Sequence, residues 1–366
     1  MQKINTKKEN LTFRMLYVIA IFMIVDGHLG SYDYLSLNNL MRYQNFHIAL
    51  FMFASGFFLN LTYSYQEFIK RKFMHLIVPL YLWTFIYGLL CTYLNKYHGF
   101  HIGAPLTAYN LLIAPLTDGH QFIYNMASWF LVPLFFVQLI SFIILKPVTN
   151  TRFIPLIYFI LALILGCFCL NVAPQNHGDR NFILFISRIL YFLPSFAFGY
   201  LYKTTLQKYD RLKTPLYLFL LLSIVWGLTT AFPNYNHIPS WLDYIGTFSV
   251  VIYTINFVCI LFWLRIAKIC APILTKSRCL YNISTHTFPI MMHHFLGFML
   301  LKSFFAFIGA NGFNTAEFKT NIWYNYFPNN NENIAILYLF ITILIALLIG
   351  FTLDKIYAKI NSNFRL

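Results

Sequence analysis

Apolar runs of about 20 residues recur along the chain between short polar breaks, at residues 13–30, 46–64, 73–94, 126–145, 153–171, 181–202, 214–231, 244–265, 281–305 and 334–353. That pattern leaves few folds open. A bilayer core about 30 Å thick is crossed by about 20 apolar residues in a helix, and lipid offers no partner to an unpaired backbone group. The runs are continuous and do not alternate with period two, which disfavours a transmembrane β-barrel. Charged residues make up 10% of the chain, against about 25% in soluble domains, and the mean hydropathy is +0.63. The sequence therefore predicts an all-α, polytopic membrane protein with about ten transmembrane helices. It reads as one domain over residues 1–366, without an internal repeat or a separate soluble part.

A formal net charge of +15 would ordinarily raise the question of nucleic acid. Its distribution argues for membrane orientation instead, because cytoplasmic loops retain Lys and Arg. One set of run ends holds Lys3, Lys7, Lys8 and Arg14, then Lys70, Arg71 and Lys72, then Lys146 and Arg152. Lys203, Lys208, Arg211, Lys213, Arg265, Lys268, Lys276, Arg278, Lys355, Lys359 and Arg365 complete the 20 of 26 basic residues on that side. The opposite ends hold Arg42, Lys96, Arg180, Lys302 and Lys319, and Arg188 falls inside a run. Both termini are thus expected in the cytoplasm, with no nucleic-acid partner. The first run lacks an A-x-A-like cleavage site, so no cleavable signal peptide is expected. The Asn-, Lys-, Ile-, Phe- and Tyr-rich usage fits a low-GC bacterium and hence a multi-pass protein of its cell membrane. Six cysteines sit in or beside apolar segments, and Cys167 and Cys169 are two apart, which is no CxxC motif. All six read as small apolar residues.

Titratable side chains at membrane depth are candidate functional groups. Asp26 and His28 lie in the first run, His47 at the outer start of the second, His75 near the inner end of the third, Arg188 in the sixth, and His293 with His294 in the ninth. A rise of about 1.5 Å per residue puts His28 about 22 Å above the inner boundary, His293 about 18 Å and His294 about 20 Å. Asp26 and His28 are two apart and point in different directions on a helix, so Asp26 is expected to meet a histidine of the ninth run or Arg188. His293 and His294 diverge by about 100°, so one of them faces His28, with His294 favoured by depth. Each has a plainer reading: a helix–helix hydrogen bond for a histidine, a buried ion pair for Asp26 and Arg188. No metal-ligand spacing is present, and no metal is expected.

The two longer outer loops, residues 95–125 and 306–333, are nearly uncharged and rich in polar and aromatic residues. Trp323, Tyr324, Asn325, Tyr326 and Asn329 suit a carbohydrate groove, or equally an interfacial aromatic belt.

The stretches "RMLYVIAIFMIVDGHLG", "FHIALFMFASGFFL" and "FIKRKFMHLIVPLYLW" resemble the first three spans of the acyltransferase family 3 integral membrane proteins. "CLYNISTHTFPIMMHHFLGFMLLK" resembles the late histidine-bearing span of a branch that O-acetylates capsular polysaccharides and exopolysaccharides. The resemblance implies transfer of an acyl group, acetyl foremost, from cytoplasmic acetyl-CoA to a sugar hydroxyl of a surface polysaccharide or its lipid-linked precursor. It implies a catalytic role for His28. The basic residue usual eleven positions earlier is Tyr17 here, with Arg14 one turn further back. The R-x-x-R-like pattern before a proline becomes Lys72 and His75 ahead of Pro79, and Ser55 belongs to the S-G-F element.

Acyl transfer needs a base, an oxyanion stabiliser and a cationic site for the CoA phosphates. Histidine, with a pKa of about 6.5, suits the first. His28 is the expected base, with His294 or His293 orienting it or carrying an acyl group, and Asp26 nearby. Lys70, Arg71, Lys72, Arg14 and His75 are candidates for acyl-CoA, although they also serve as positive-inside anchors. Ser55 and Ser128 are candidate oxyanion donors or packing residues, and His47, Ser55, Trp323 and Tyr324 candidate substrate contacts. Rival readings are a lipid-linked oligosaccharide flippase or transporter, and a non-catalytic subunit of a polysaccharide synthesis complex.

Overall fold

The computed structural model of the chain describes residues 10–29, 40–148, 151–172, 182–245, 247–331 and 333–363. Lys3, Lys7, Lys8, Arg180 and Arg365 of the charge pattern lie outside the described residues.

The protein is an all-α polytopic membrane protein. Among the described residues eight helices are long and apolar enough to cross a bilayer: α3 (Tyr65–His98), α5 (Ile123–Val148), α6 (Ile154–Val172), α7 (Phe182–Thr204), α8 (Thr214–Ala231), α9 (Ser249–Cys270), α11 (Thr287–Phe307) and α13 (Ile334–Asn363). The first two expected spans are shorter. α1 is Leu11–Gly27, 17 residues, and α2 is His47–Phe57, 11 residues. At about 1.5 Å per residue α2 rises only about 16 Å. It tolerates this because it is enclosed by protein: a Cβ on Gly56 would lie 1.9 Å from the Phe196 carbonyl oxygen of α7, and one on Gly199 1.9 Å from that of Phe53. Reciprocal glycines bring the two backbones into direct contact, the way small residues let helices approach in membranes.

The second and third spans therefore exchange residues relative to expectation. α2 stops at Phe57, and α3 begins at Tyr65, where Ser64 Oγ accepts the Glu67 N–H at 3.2 Å. Ser-x-x-Glu is a capping-box signature. Phe73–Ile77 then forms a wider π-helical turn. Pro79, two residues on, has no N–H for the helical ladder, a standard cause of such an irregularity.

The ninth span also divides, into α10 (Arg278–Thr285) and α11, with His286 between them at φ −113°, ψ 29°. Between α8 and α9 an antiparallel hairpin, β1 (Asn236–Ile238) and β2 (Asp243–Ile245), pairs His237 with Tyr244. The eighth span accordingly starts at Ser249 and not at 244. The longer outer loops contain short helices, α4 (Ala108–Thr117) and α12 (Thr315–Thr320). All six cysteines are free; Cys91, Cys169 and Cys259 are buried as packing groups, whereas Cys279 is exposed.

Candidate active site

α1 ends at Gly27, and His28 is its C-cap. The last carbonyls of a helix lack intrahelical partners. The His28 ring takes one of them: Nδ1 donates to the Ile24 oxygen at 2.7 Å. A carbonyl oxygen only accepts, so the hydrogen sits on Nδ1 and the neutral ring presents its lone pair at Nε2.

His294 lies against this ring, with centroids 4.9 Å apart. Its own Nδ1 donates to the Met291 oxygen at 2.8 Å, which again leaves Nε2 as acceptor. The neighbouring residue on α11 points elsewhere. His293 Nδ1 shares a 2.7 Å hydrogen bond with the Tyr87 hydroxyl of α3, and the ring meets Trp83 edge-on at 4.2 Å. One residue along a helix turns the side chain by about 100°, so the adjacent histidines separate into one at His28 and one bracing α11 on α3. Trp323 stacks on the other face of the site, 5.9 Å from His28 and 14° from parallel.

His28 stands where two cavities meet, of about 560 Å³ and 610 Å³. Trp129, Trp241 and Trp323 wall both. His47 and His237 line the first, each with Nδ1 on a carbonyl oxygen: Tyr43 at 2.8 Å and Asp243 at 2.9 Å. The Nδ1 bonds leave Nε2 as the acceptor on each ring, that of His237 being buried without a partner among the described residues. Burial holds the His237 pKa down at about 4, against the opposing hydrogen bond to the Asp243 carbonyl. In the second cavity His120 stacks on Trp241 at 4.9 Å and sits 3.1 Å from Asp118 Oδ1. Burial lowers its pKa too, outweighing the Asp118 carboxylate.

The outer walls hang from one cation. Arg188 of α7 donates to the carbonyl oxygens of Thr117 (3.1 Å), Asp118 (2.9 Å) and Ser240 (2.8 and 2.5 Å), with its guanidinium 4.6 Å above Trp129. It therefore does not pair with Asp26, contrary to expectation. Asp26 accepts from the hydroxyl of Tyr43 at 2.8 Å, the residue whose carbonyl oxygen orients His47.

Other expected residues lie apart from His28. Ser55, deeper on α2, and Ser128, buried between Ala127 and Trp129, line neither cavity. Tyr324 also lies outside both; its hydroxyl accepts the Asn314 N–H at 2.8 Å. Tyr326 donates to the Asn311 oxygen, and Asn325 ties the loop to the Leu29 oxygen, just past the end of α1, at 3.0 Å. Trp323 is the residue of that loop's aromatic–amide cluster that reaches the cavities.

The basic candidates for acyl-CoA divide between helices. Arg14 lies over Tyr281 of α10, 5.7 Å from the ring centroid. On α3, Arg71 pairs with Glu67 at 3.7 Å and lies over Tyr63, Lys72 lies over Phe68, and His75 is exposed in the π turn. The sequence reading missed His120, His237, Trp129, Trp241 and the Arg188 anchor points. A histidine or tryptophan among turn residues of an outer loop, as in "DGH" and "HIPSW", was the available signal.

A family model described as an acyltransferase domain, that of acyltransferase family 3, matches residues 15–355. Neither the curated proteins nor the solved structures gave a match to the chain.

Proposed function

The chain belongs to acyltransferase family 3, and on that premise we propose that this membrane acyltransferase moves an acetyl group from cytoplasmic acetyl-CoA to a hydroxyl of a cell-surface polysaccharide or its lipid-linked precursor. The observation that carries the reading is the Nε2 lone pair of His28 at the junction of two tryptophan-walled cavities on the outer side. Aromatic faces suit sugar rings, and a base must reach the hydroxyl it activates.

The sugar hydroxyl donates to His28 Nε2 and passes its proton there as its oxygen bonds to the thioester carbon. The Ile24 carbonyl, holding Nδ1–H, stabilises the imidazolium, and His294 supports its orientation from the adjacent face. Collapse of the tetrahedral intermediate breaks the C–S bond. The CoA thiolate takes the proton, giving ester and thiol. Arg71 and Lys72 at the inner end of α3, with Arg14 on α1, supply cations for the CoA phosphates, and His75 beside them a ring N–H.

The test is His28→Ala with membrane expression confirmed and acetyl ester measured on the isolated polysaccharide. Loss of a general base lowers the rate about 10²–10⁴-fold, so ester should fall to background. Wild-type acetylation in the variant would refute the reading. Polysaccharide missing from the surface while its repeat units remain acetylated would indicate transport instead.

A further inference from the structure

Arg42 separates the cavity that contains His28 from a third, of about 450 Å³, which it shares with Asn45, Trp226, Thr229, Phe232 and Tyr235. Its position needs an explanation, because basic residues are depleted on the outer side of a membrane protein. Lys302, also on that side, is engaged by two carbonyl oxygens, Ile322 and Tyr324. Among the described residues Arg42 makes one hydrogen bond, Nη1 to the Tyr235 oxygen at 2.8 Å, and pairs with no carboxylate. A guanidinium has five N–H donors in a planar fork that matches phosphate oxygens bidentately. Among the described residues most of that capacity is uncommitted, and Arg42 borders both cavities.

The third cavity differs from the other two in its outer wall. Trp226 and Thr229 belong to the last turns of α8, a peripheral helix whose Phe219 and Trp226 are 66% and 64% exposed, toward lipid. An apolar chain lying along α8 would end at Arg42, and a polar group beyond Arg42 would enter the His28 cavity. That sequence of environments, hydrocarbon then cation then sugar-sized aromatic cavity, matches one kind of molecule.

We propose that Arg42 is the phosphate-binding residue for a polyprenyl-type lipid carrier, seating the diphosphate of a lipid-linked glycan between the α8 cavity and the His28 cavity. This rests on the acyltransferase reading for its purpose and narrows the acceptor to the lipid-linked precursor. A carboxylate on an acidic sugar of a finished polymer is the competing source of negative charge.

Binding is read by tryptophan fluorescence of the purified full-length protein in detergent, titrated with farnesyl diphosphate, farnesol, inorganic pyrophosphate or glucuronate. Farnesyl diphosphate should bind saturably and about tenfold or more tighter than farnesol or pyrophosphate, the margin of a charge-assisted bidentate contact. Arg42→Gln should abolish the preference over farnesol, and Arg42→Lys should retain part of it. Equal affinity for farnesyl diphosphate and farnesol in the wild type, or an Arg42→Gln protein that keeps the preference, would overturn the proposal. So would glucuronate binding tighter than farnesyl diphosphate. The measurement involves no acyl transfer: if it fails while His28→Ala abolishes acetylation, the phosphate site alone is wrong. If His28→Ala leaves acetylation intact while the preference holds, the catalytic reading alone is wrong.

Discussion

Lys302 and Trp323 are linked through the backbone: the Lys302 ammonium donates to the carbonyl oxygens of Ile322 and Tyr324, the residues either side of Trp323, at 3.0 Å each. The side chain that stacks on His28 is thus held by a lysine 1% exposed near the outer end of α11. Lys302→Met should leave two buried carbonyls without their donor, at about 1–3 kcal/mol each, and free the 306–333 loop. We expect faster proteolysis within that loop and an acetylation rate down about tenfold or more, with Lys302→Arg retaining part of both. Unchanged cleavage kinetics in Lys302→Met would show that the loop is held by other contacts.

The two adjacent histidines should respond differently. His294→Phe keeps an aromatic ring beside His28 but removes Nε2, so acetylation should drop by about tenfold or more with little change in thermal stability. His293→Phe leaves the Tyr87 hydroxyl without its partner, a loss of about 1–3 kcal/mol, and should mainly lower Tm. Acetylation and Tm of the purified variants, measured side by side, decide it. The reverse pattern would exchange the two assignments.

The α2–α7 crossing tolerates no side chain. An alanine methyl at Gly56 or Gly199 would fall 1.9 Å from a main-chain oxygen, and backbone cannot rotate away as a flexible side chain does. Either Gly→Ala variant should lose the folded, monodisperse peak in fluorescence-detected size-exclusion chromatography. Wild-type peak height and Tm in both would mean that the helices can part.

Acid should loosen the outer hairpin. The His237 pKa is held at about 4 in the folded chain and is about 6.5 when unfolded. Between those values the unfolded state binds more protons, so stability rises with pH up to about 6.5 and is flat above. The full span is worth about 3 kcal/mol at 1.36 kcal/mol per pH unit. His237→Gln should make the Tm–pH curve shallower between pH 4 and 6.5 by the share that His237 contributes. An equally steep curve in that variant would assign the acid sensitivity elsewhere.

Hydropathy revealed the order of the apolar segments because lipid imposes it on every span, but eight of the ten, among the described residues, are long and apolar enough to cross. It could not distinguish apolar surface facing lipid from apolar surface facing protein, so the enclosed "HIALFMFASGF" read as a full crossing although it extends only 11 residues. Depth along the helices was enough to bring His28 toward His294, since both distances follow from a fixed rise per residue. The roof of the site was not legible. His120 lies far in sequence from His237 and Trp241, and what gathers them is Arg188 binding main-chain oxygens, an interaction that leaves no mark in side-chain identity. Arg188 itself was visible as a buried charge, but its partners were sought among carboxylates.

That choice of partners has a bearing on how such a protein diversifies. Every residue carries a carbonyl, so the anchors at Thr117, Asp118 and Ser240 survive almost any substitution at those positions. The segments above His28 can therefore exchange side chains, and with them the shape of the two cavities, while one arginine keeps them at the same height. The shape of the cavities and the position of His28 become separately heritable traits.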